Sequence, residues 1–101
     1  MDVITADMIR EIHDELIKES GGSLGVLNMG TLEYISFECD RETDLFRKAS
    51  VVLHEIIILH PFFDGNKRTA LAVAYLLLRK HGYRLQADRD SMIGFLLQVA
   101  S

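Results

Sequence analysis

Apolar positions recur along this chain at helical spacing, and the polar and glycine breaks between them predict five helices. Met8, Ile12 and Leu16 form one stripe of a first helix that Thr5 can cap and that Gly21-Gly22 ends after Ser20. Residues 21–30 carry four glycines and Asn28, which predicts a loop, and a short helix follows from Thr31 to about Glu38. Thr43 or Asp44 caps the next helix, which runs to Leu59 and buries Phe46, Ala49, Leu53, Ile56 and Ile57. From Asn66 to about His81 the chain is apolar almost all round, which marks a central buried helix, and Gly82 is its natural stop. Asp88 or Asp90 caps a last helix, and Tyr83-Arg-Leu-Gln reads as at most a short extended piece. The pattern predicts an all-α, compact bundle around the helix of about 66–82, in a single domain of residues 1–101.

The break between the two most apolar segments, Ala49–Leu59 and Ala70–Leu78, is the polar loop His60-Pro-Phe-Phe-Asp-Gly-Asn-Lys-Arg-Thr69. Loops held by rigid flanks are common mounts for catalytic groups. Pro61 cannot continue a helix and pushes His60 out of the α region, so the preceding helix should stop at about His60. Gly65 permits a sharp turn and close approach of the backbone to a ligand. Free N–H groups of Gly65, Asn66 and Lys67 at a helix N-terminus, with the positive end of the dipole, would form an anion site. Lys67 and Arg68 add full charge there, where cations oppose the dipole unless an anionic ligand resolves the conflict. Asp64 beside phosphates makes sense with a hard cation such as magnesium between them. His60, the residue type whose free pKa lies nearest neutrality, could take a proton from a hydroxyl nucleophile. Singly, these are an ordinary helix-end histidine, an Asp-Gly turn and a solvated Lys-Arg pair. Their coincidence in one loop favours a site.

The segment resembles the signature of the Fic/Doc family, His-x-Phe-x-Asp/Glu-Gly-Asn-x-Arg, at His60, Phe62, Asp64, Gly65, Asn66 and Arg68. It is more similar to the Doc (death-on-curing) branch. Lys67 stands where Fic enzymes usually carry a second Gly, and Leu71 where they carry a second Arg. Ile12-His13-Asp14, the Gly21-to-Asn28 loop and the stretch from Tyr75 to Tyr83 also read like Doc-type chains, so the resemblance covers most of the sequence. It implies a Fic/Doc-like helical bundle in which His60 is the general base and Phe62 packs into the core to fix the loop. Asp64 would hold Mg2+, and Gly65, Asn66, Lys67 and Arg68 would cradle the phosphates of ATP.

The missing second Arg removes a phosphate clamp. The Doc branch is associated with ATP bound the other way round and with transfer of the γ-phosphoryl group. The resemblance therefore implies a toxin of a toxin–antitoxin pair that phosphorylates a hydroxyl side chain of a protein, such as the translation factor elongation factor Tu. Its partner would be a small antitoxin, whose helical tail fills a groove. No inhibitory Ser/Thr-x-x-x-Glu-Gly-Asn/Lys helix is visible, which fits control by a separate protein. AMP transfer at the same site is one alternative, and a non-catalytic helical binding module is another. Doc-type chains usually continue for a further helix beyond this point, so the domain is expected to lack its last C-terminal helix. Phe95, Leu96 and Val99 would then serve an antitoxin or homodimer contact, or pack against the first helix.

Composition narrows the setting. Apolar residues at 49%, one Pro and no Trp suit a compact helical domain, and a net charge of −4 offers no basic footprint for nucleic acid. A lone Cys39 cannot form an internal disulfide, which suggests a reducing cytoplasm and an inert, buried thiol. No leader pattern opens the chain, and its longest apolar run, Ala70–Leu78, falls well short of the ~20 residues that span a bilayer. His54 and Glu55 could join His60 and Asp64 in a metal cluster, but on a helix His54 and His60 lie roughly 600° apart and face different sides. His13 and Asp14 read as a helix-surface pair, with an ancillary role left open.

Overall fold

The computed structural model describes residues 3–83, which fold into four helices: α1 (Ala6–Ser20), α2 (Met29–Asp40), α3 (Leu45–Leu59) and α4 (Asn66–Lys80). Among the described residues the only extended pairing is an isolated antiparallel bridge between Val26 and Phe62. The architecture is all-α, as the periodicity predicts. The expected last helix, with Phe95, Leu96 and Val99, lies outside the described residues.

Local chemistry sets most of the boundaries. Thr5 caps α1 by accepting from the Met8 N–H at 3.1 Å, and Asp44 caps α3 by accepting from Arg47 N–H at 3.0 Å. Gly21, at φ 84°, ends α1. α2 starts at Met29 rather than Thr31 and runs on to Asp40, because Asn28 is its cap, accepting from the Thr31 N–H at 3.2 Å. α4 stops at Lys80, with His81 as its C-cap and Gly82 at φ 87° beyond it.

Two expectations about buried faces need correction. The core stripe of α1 is Ile9, His13 and Ile17, whereas Met8 is exposed and Ile12 and Leu16 are only half-buried. The true stripe is turned by one position, about 100° of rotation. Phe46 is also exposed. The buried run of α3 begins only at Lys48, and Phe46, on the turn before it, packs edge-on against Tyr83 at 4.8 Å instead.

The core is built from Leu32, Ile35 and Cys39 of α2, Val52, Leu53 and Ile56 of α3, and Ala70, Val73, Ala74 and Leu77 of α4, with Ile4, Ile9 and Phe62 closing it. Each large apolar side chain taken out of water stabilises the fold by about 1.5–3 kcal/mol. α4 lies against α3 most extensively and also against α1, and its alanines let the helices approach closely. It is central without being buried all round, since Leu76 stays exposed. Lys48 is buried with its Nζ 3.2 Å from Asp40 Oδ1, and the same oxygen accepts from the Ile4 N–H at 3.0 Å. Burial, with Asp40 close by, pushes the Cys39 thiol up to about 12, so it is an inert core residue as expected. None of the described helices is long and apolar enough to cross a membrane.

Candidate active site

α3 ends at Leu59 because Pro61 bars the α conformation one residue earlier. His60 escapes to the left-handed region, at φ 50° and ψ 62°, and is the only non-glycine with positive φ among the described residues. That conformation costs roughly 1–2 kcal/mol and leaves the imidazole exposed to solvent. Pro61 and Phe62 then turn inward and are buried, Phe63 points out, and Gly65 at φ 76° turns the chain into α4.

Asn66 locks this turn. Its Oδ1 accepts from the Phe62 N–H at 3.0 Å while its Nδ2 donates to the Phe62 carbonyl at 2.9 Å, so one amide satisfies both backbone groups of a buried residue. Nδ2 also lies 3.4 Å from His60 Nδ1, too long a contact to fix the tautomer of that ring. The Asn66 side chain is therefore a loop clamp, and its backbone N–H is left for an anion.

The α1–α2 loop lines the other side. Beyond the Val26–Phe62 bridge, the Leu27 N–H donates to the Pro61 carbonyl at 2.8 Å and the Phe63 N–H to the Gly25 carbonyl at 3.4 Å. Asp64 Oδ1 accepts from the Gly65 N–H at 2.8 Å and Oδ2 from the Ser23 N–H at 3.1 Å. These two bonds, Ser23 foremost, with Arg68 adding attraction, hold the Asp64 carboxyl below its ordinary value. Gly22 makes the approach possible, since a Cβ there would stand 2.6 Å from Asp64 Oδ2. Arg68 Nη1 donates to Ser20 Oγ at 2.6 Å and to the Gly21 carbonyl at 3.2 Å, with Nη2 4.0 Å from Asp64 Oδ1.

Beside them lies an open cavity of about 400 Å³ lined by His60, Phe63, Asp64, Gly65, Asn66, Lys67 and Arg68. The structure thus brings six of the seven expected site residues to one cavity. The seventh, Phe62, sits buried beneath it. α4 opens on this cavity with no side-chain cap. His54 is exposed on α3, and no group of three or more His, Cys, Asp or Glu side chains among the described residues could hold a metal.

His13 departs from the surface-pair reading. It is fully buried, its ring stacks flat on Phe62 (centroids 3.8 Å apart, planes within 2°), and its Nε2 lies 2.8 Å from the Asp64 carbonyl. Its Nδ1 lies 3.1 Å from Asp14 Oδ1. The signal was its place one turn from both Ile9 and Ile17, a stripe obscured by counting histidine as polar. The roles of Ser20 and Ser23 had no local signal.

The Fic/DOC family model matches residues 3–78. The chain belongs to the Fic/DOC family. It is 35% identical over 77 residues to the protein named Toxin Doc of Mycolicibacterium smegmatis, a match covering 69% of this chain and 59% of that one. It is 33% identical over 88 residues to the protein named Protein kinase doc of Escherichia phage P1, covering 81% of this chain and 70% of that one. Within the family the chain sits in the Doc branch.

Proposed function

We propose that this Doc-branch chain is a toxin that transfers the γ-phosphoryl group of Mg-ATP to a hydroxyl side chain of a protein. The supporting observation is the single cavity in which a base candidate, an ionised carboxylate and two cations meet an uncapped helix N-terminus. Phosphoryl transfer asks a protein mainly for positioning and charge neutralisation, and such a set can supply both.

In this reading His60 takes the proton from the target hydroxyl as its oxygen bonds to the γ-phosphorus. The bond from that phosphorus to the bridging oxygen breaks, and ADP leaves. Lys67, Arg68 and the free N–H groups of the first turn of α4 hold the phosphates. Arg68 commits Nη1 to Ser20 and Gly21 and keeps other donors for a phosphate. Asp64 fits a hard cation. Its side chain is half-exposed and ionised, and a carboxylate has about four lone-pair sites, of which two are used here. Bound magnesium would neutralise phosphate charge and orient the transferred group.

Leu71 is buried, so α4 offers no second cation there to clamp a further phosphate. That favours γ-phosphoryl over AMP transfer, and the name of the phage P1 relative points the same way. By the same family resemblance the target is a translation factor such as elongation factor Tu, the regulator is a small antitoxin, and the site of action is the cytoplasm. The test is to incubate the protein and elongation factor Tu with ATP labelled at either the α or the γ phosphate. Label from γ alone supports the kinase. Label from α assigns AMP transfer instead, and no label from either overturns the proposal for this target.

A further inference from the structure

We infer that His13 is a positioning residue for the phosphotransfer site, bracing Asp64 from behind so that its carboxylate meets the cavity in a fixed orientation. The inference rests on the proposed role of Asp64, but its geometric content stands apart from that role.

A fully buried imidazole on the core stripe of α1 needs a reason. Ile9 and Ile17, one turn to either side, show that the stripe accepts aliphatic residues. A buried polar ring is costly unless its polar atoms find partners, and here Nε2 meets the Asp64 carbonyl while Nδ1 lies beside the Asp14 carboxylate. A carbonyl oxygen can only accept, so Nε2 donates in the 2.8 Å bond to Asp64. On the other edge Asp14 Oδ1 stands 3.1 Å from Nδ1, and because a carboxylate oxygen only accepts, this contact is a hydrogen bond when Nδ1 also carries a proton.

The same ring also controls Phe62. Parallel stacking at 3.8 Å sets the depth of Phe62, while the Nε2 bond sets the height of residue 64. The two ends of the Phe62-Phe63-Asp64 step are therefore referred to one rigid group on α1, with Phe63 left pointing outward. Seen from the other side, the Asp64 carboxylate is held by the Ser23 and Gly65 N–H groups. Backbone carbonyl and side-chain carboxylate are thus anchored separately, and the residue has little freedom to swing. His13 itself does not line the cavity, so it acts through Asp64 and Phe62. This is how outer partners orient a metal-binding group, and their loss typically costs roughly 10–100-fold in metal affinity or activity.

Three substitutions separate a brace from mere core filling. His13→Phe keeps the stack and the volume but removes the donor. His13→Gln can place an amide nitrogen where Nε2 stands, whereas His13→Asn can place one only where Nδ1 stands. Each folded variant is read by hydrogen exchange of the Ser23 and Gly65 amides and by the magnesium dependence with which the chain binds a non-hydrolysable ATP analogue. The expected result is that His13→Phe and His13→Asn lose amide protection and need roughly 10–100-fold more magnesium, while His13→Gln recovers most of both. Unchanged protection and magnesium dependence in His13→Phe, or equal losses in His13→Gln and His13→Asn, would overturn the inference. If the unsubstituted chain binds no analogue at any magnesium level, the functional reading fails, and the exchange data still judge the brace.

Discussion

At the start of α3 a carboxylate caps the helix, Asp44 accepting from Arg47 N–H at 3.0 Å, and the buried Lys48 close by is matched by Asp40 at 3.2 Å. At the start of α4 the cap position is Gly65, no side chain accepts from the first turn, and Lys67 and Arg68 follow at once. Both turns lead into helices of the same core. The first satisfies orphan donors with an anion, which the dipole favours. The second leaves donors open, places cations where the dipole opposes them and holds His60 in a conformation that costs energy. Stability has been optimised at one turn and conceded at the other, and the concession has the shape of an anion site.

The largest expected effect belongs to the second turn. His60→Ala should lower phosphoryl transfer by roughly 10²–10⁴-fold while ATP binding stays near normal, since the imidazole acts on the hydroxyl and not on the nucleotide. Labelled transfer and nucleotide titration measure the two separately, and near-normal turnover would remove His60 from the chemistry. Next comes Asn66→Ala, which leaves the Phe62 N–H and carbonyl unpaired in a buried position. Each such group costs about 1–3 kcal/mol, read as a lower denaturant midpoint. An unchanged midpoint would mean that the turn is held by something other than this amide.

A smaller, paired effect tests the contrast directly. Asp44→Ala should cost about 0.5–2 kcal/mol of stability and leave transfer untouched. Lys67→Glu should do the reverse, gaining about 0.3–1 kcal/mol by suiting the dipole while weakening ATP binding. Both are read by thermal denaturation and nucleotide titration. If Lys67→Glu leaves ATP binding intact, the exposed cation is not part of the phosphate site.

The smallest effect is acid-dependent. The Asp64 carboxyl is held below its ordinary value of 3.8 by its two backbone bonds, so its contribution is complete above that pH and is lost as the pH falls through the lower folded value. The stability gap between the unsubstituted chain and Asp64→Asn should therefore shrink on acidification below 3.8. A gap that widens would contradict the bonding pattern.

Much of this was legible in the sequence because it is local. Thr5, Asp44, Gly21 and Gly82 mark helix ends through bonds or backbone preferences spanning a few residues, and Pro61 stops α3 by a clash with its neighbour. The loop residues could be assigned to one site because the motif is continuous. What could not be read was what the motif leans on. His13 looked like a polar surface residue, although it is buried against Phe62. Asn66 stands out in the sequence for its backbone N–H, and nothing local shows that its side chain turns inward to the Phe62 backbone. The start of α2 was misplaced because Asn28 fits a loop and a cap equally well.

The helix caps join residues 3 positions apart, while the bonds that tie the site to α1 and the loop after it join residues 41, 47, 48 and 51 positions apart. Closing long loops carries an entropy cost that short-range contacts escape, so local structure forms early and distant pairings late. During synthesis α1, α2 and α3 are all complete before Arg68 has been added. A nascent chain at that point carries three of the four described helices, while the bonds from Arg68 and every contact that waits on α4 are still to form.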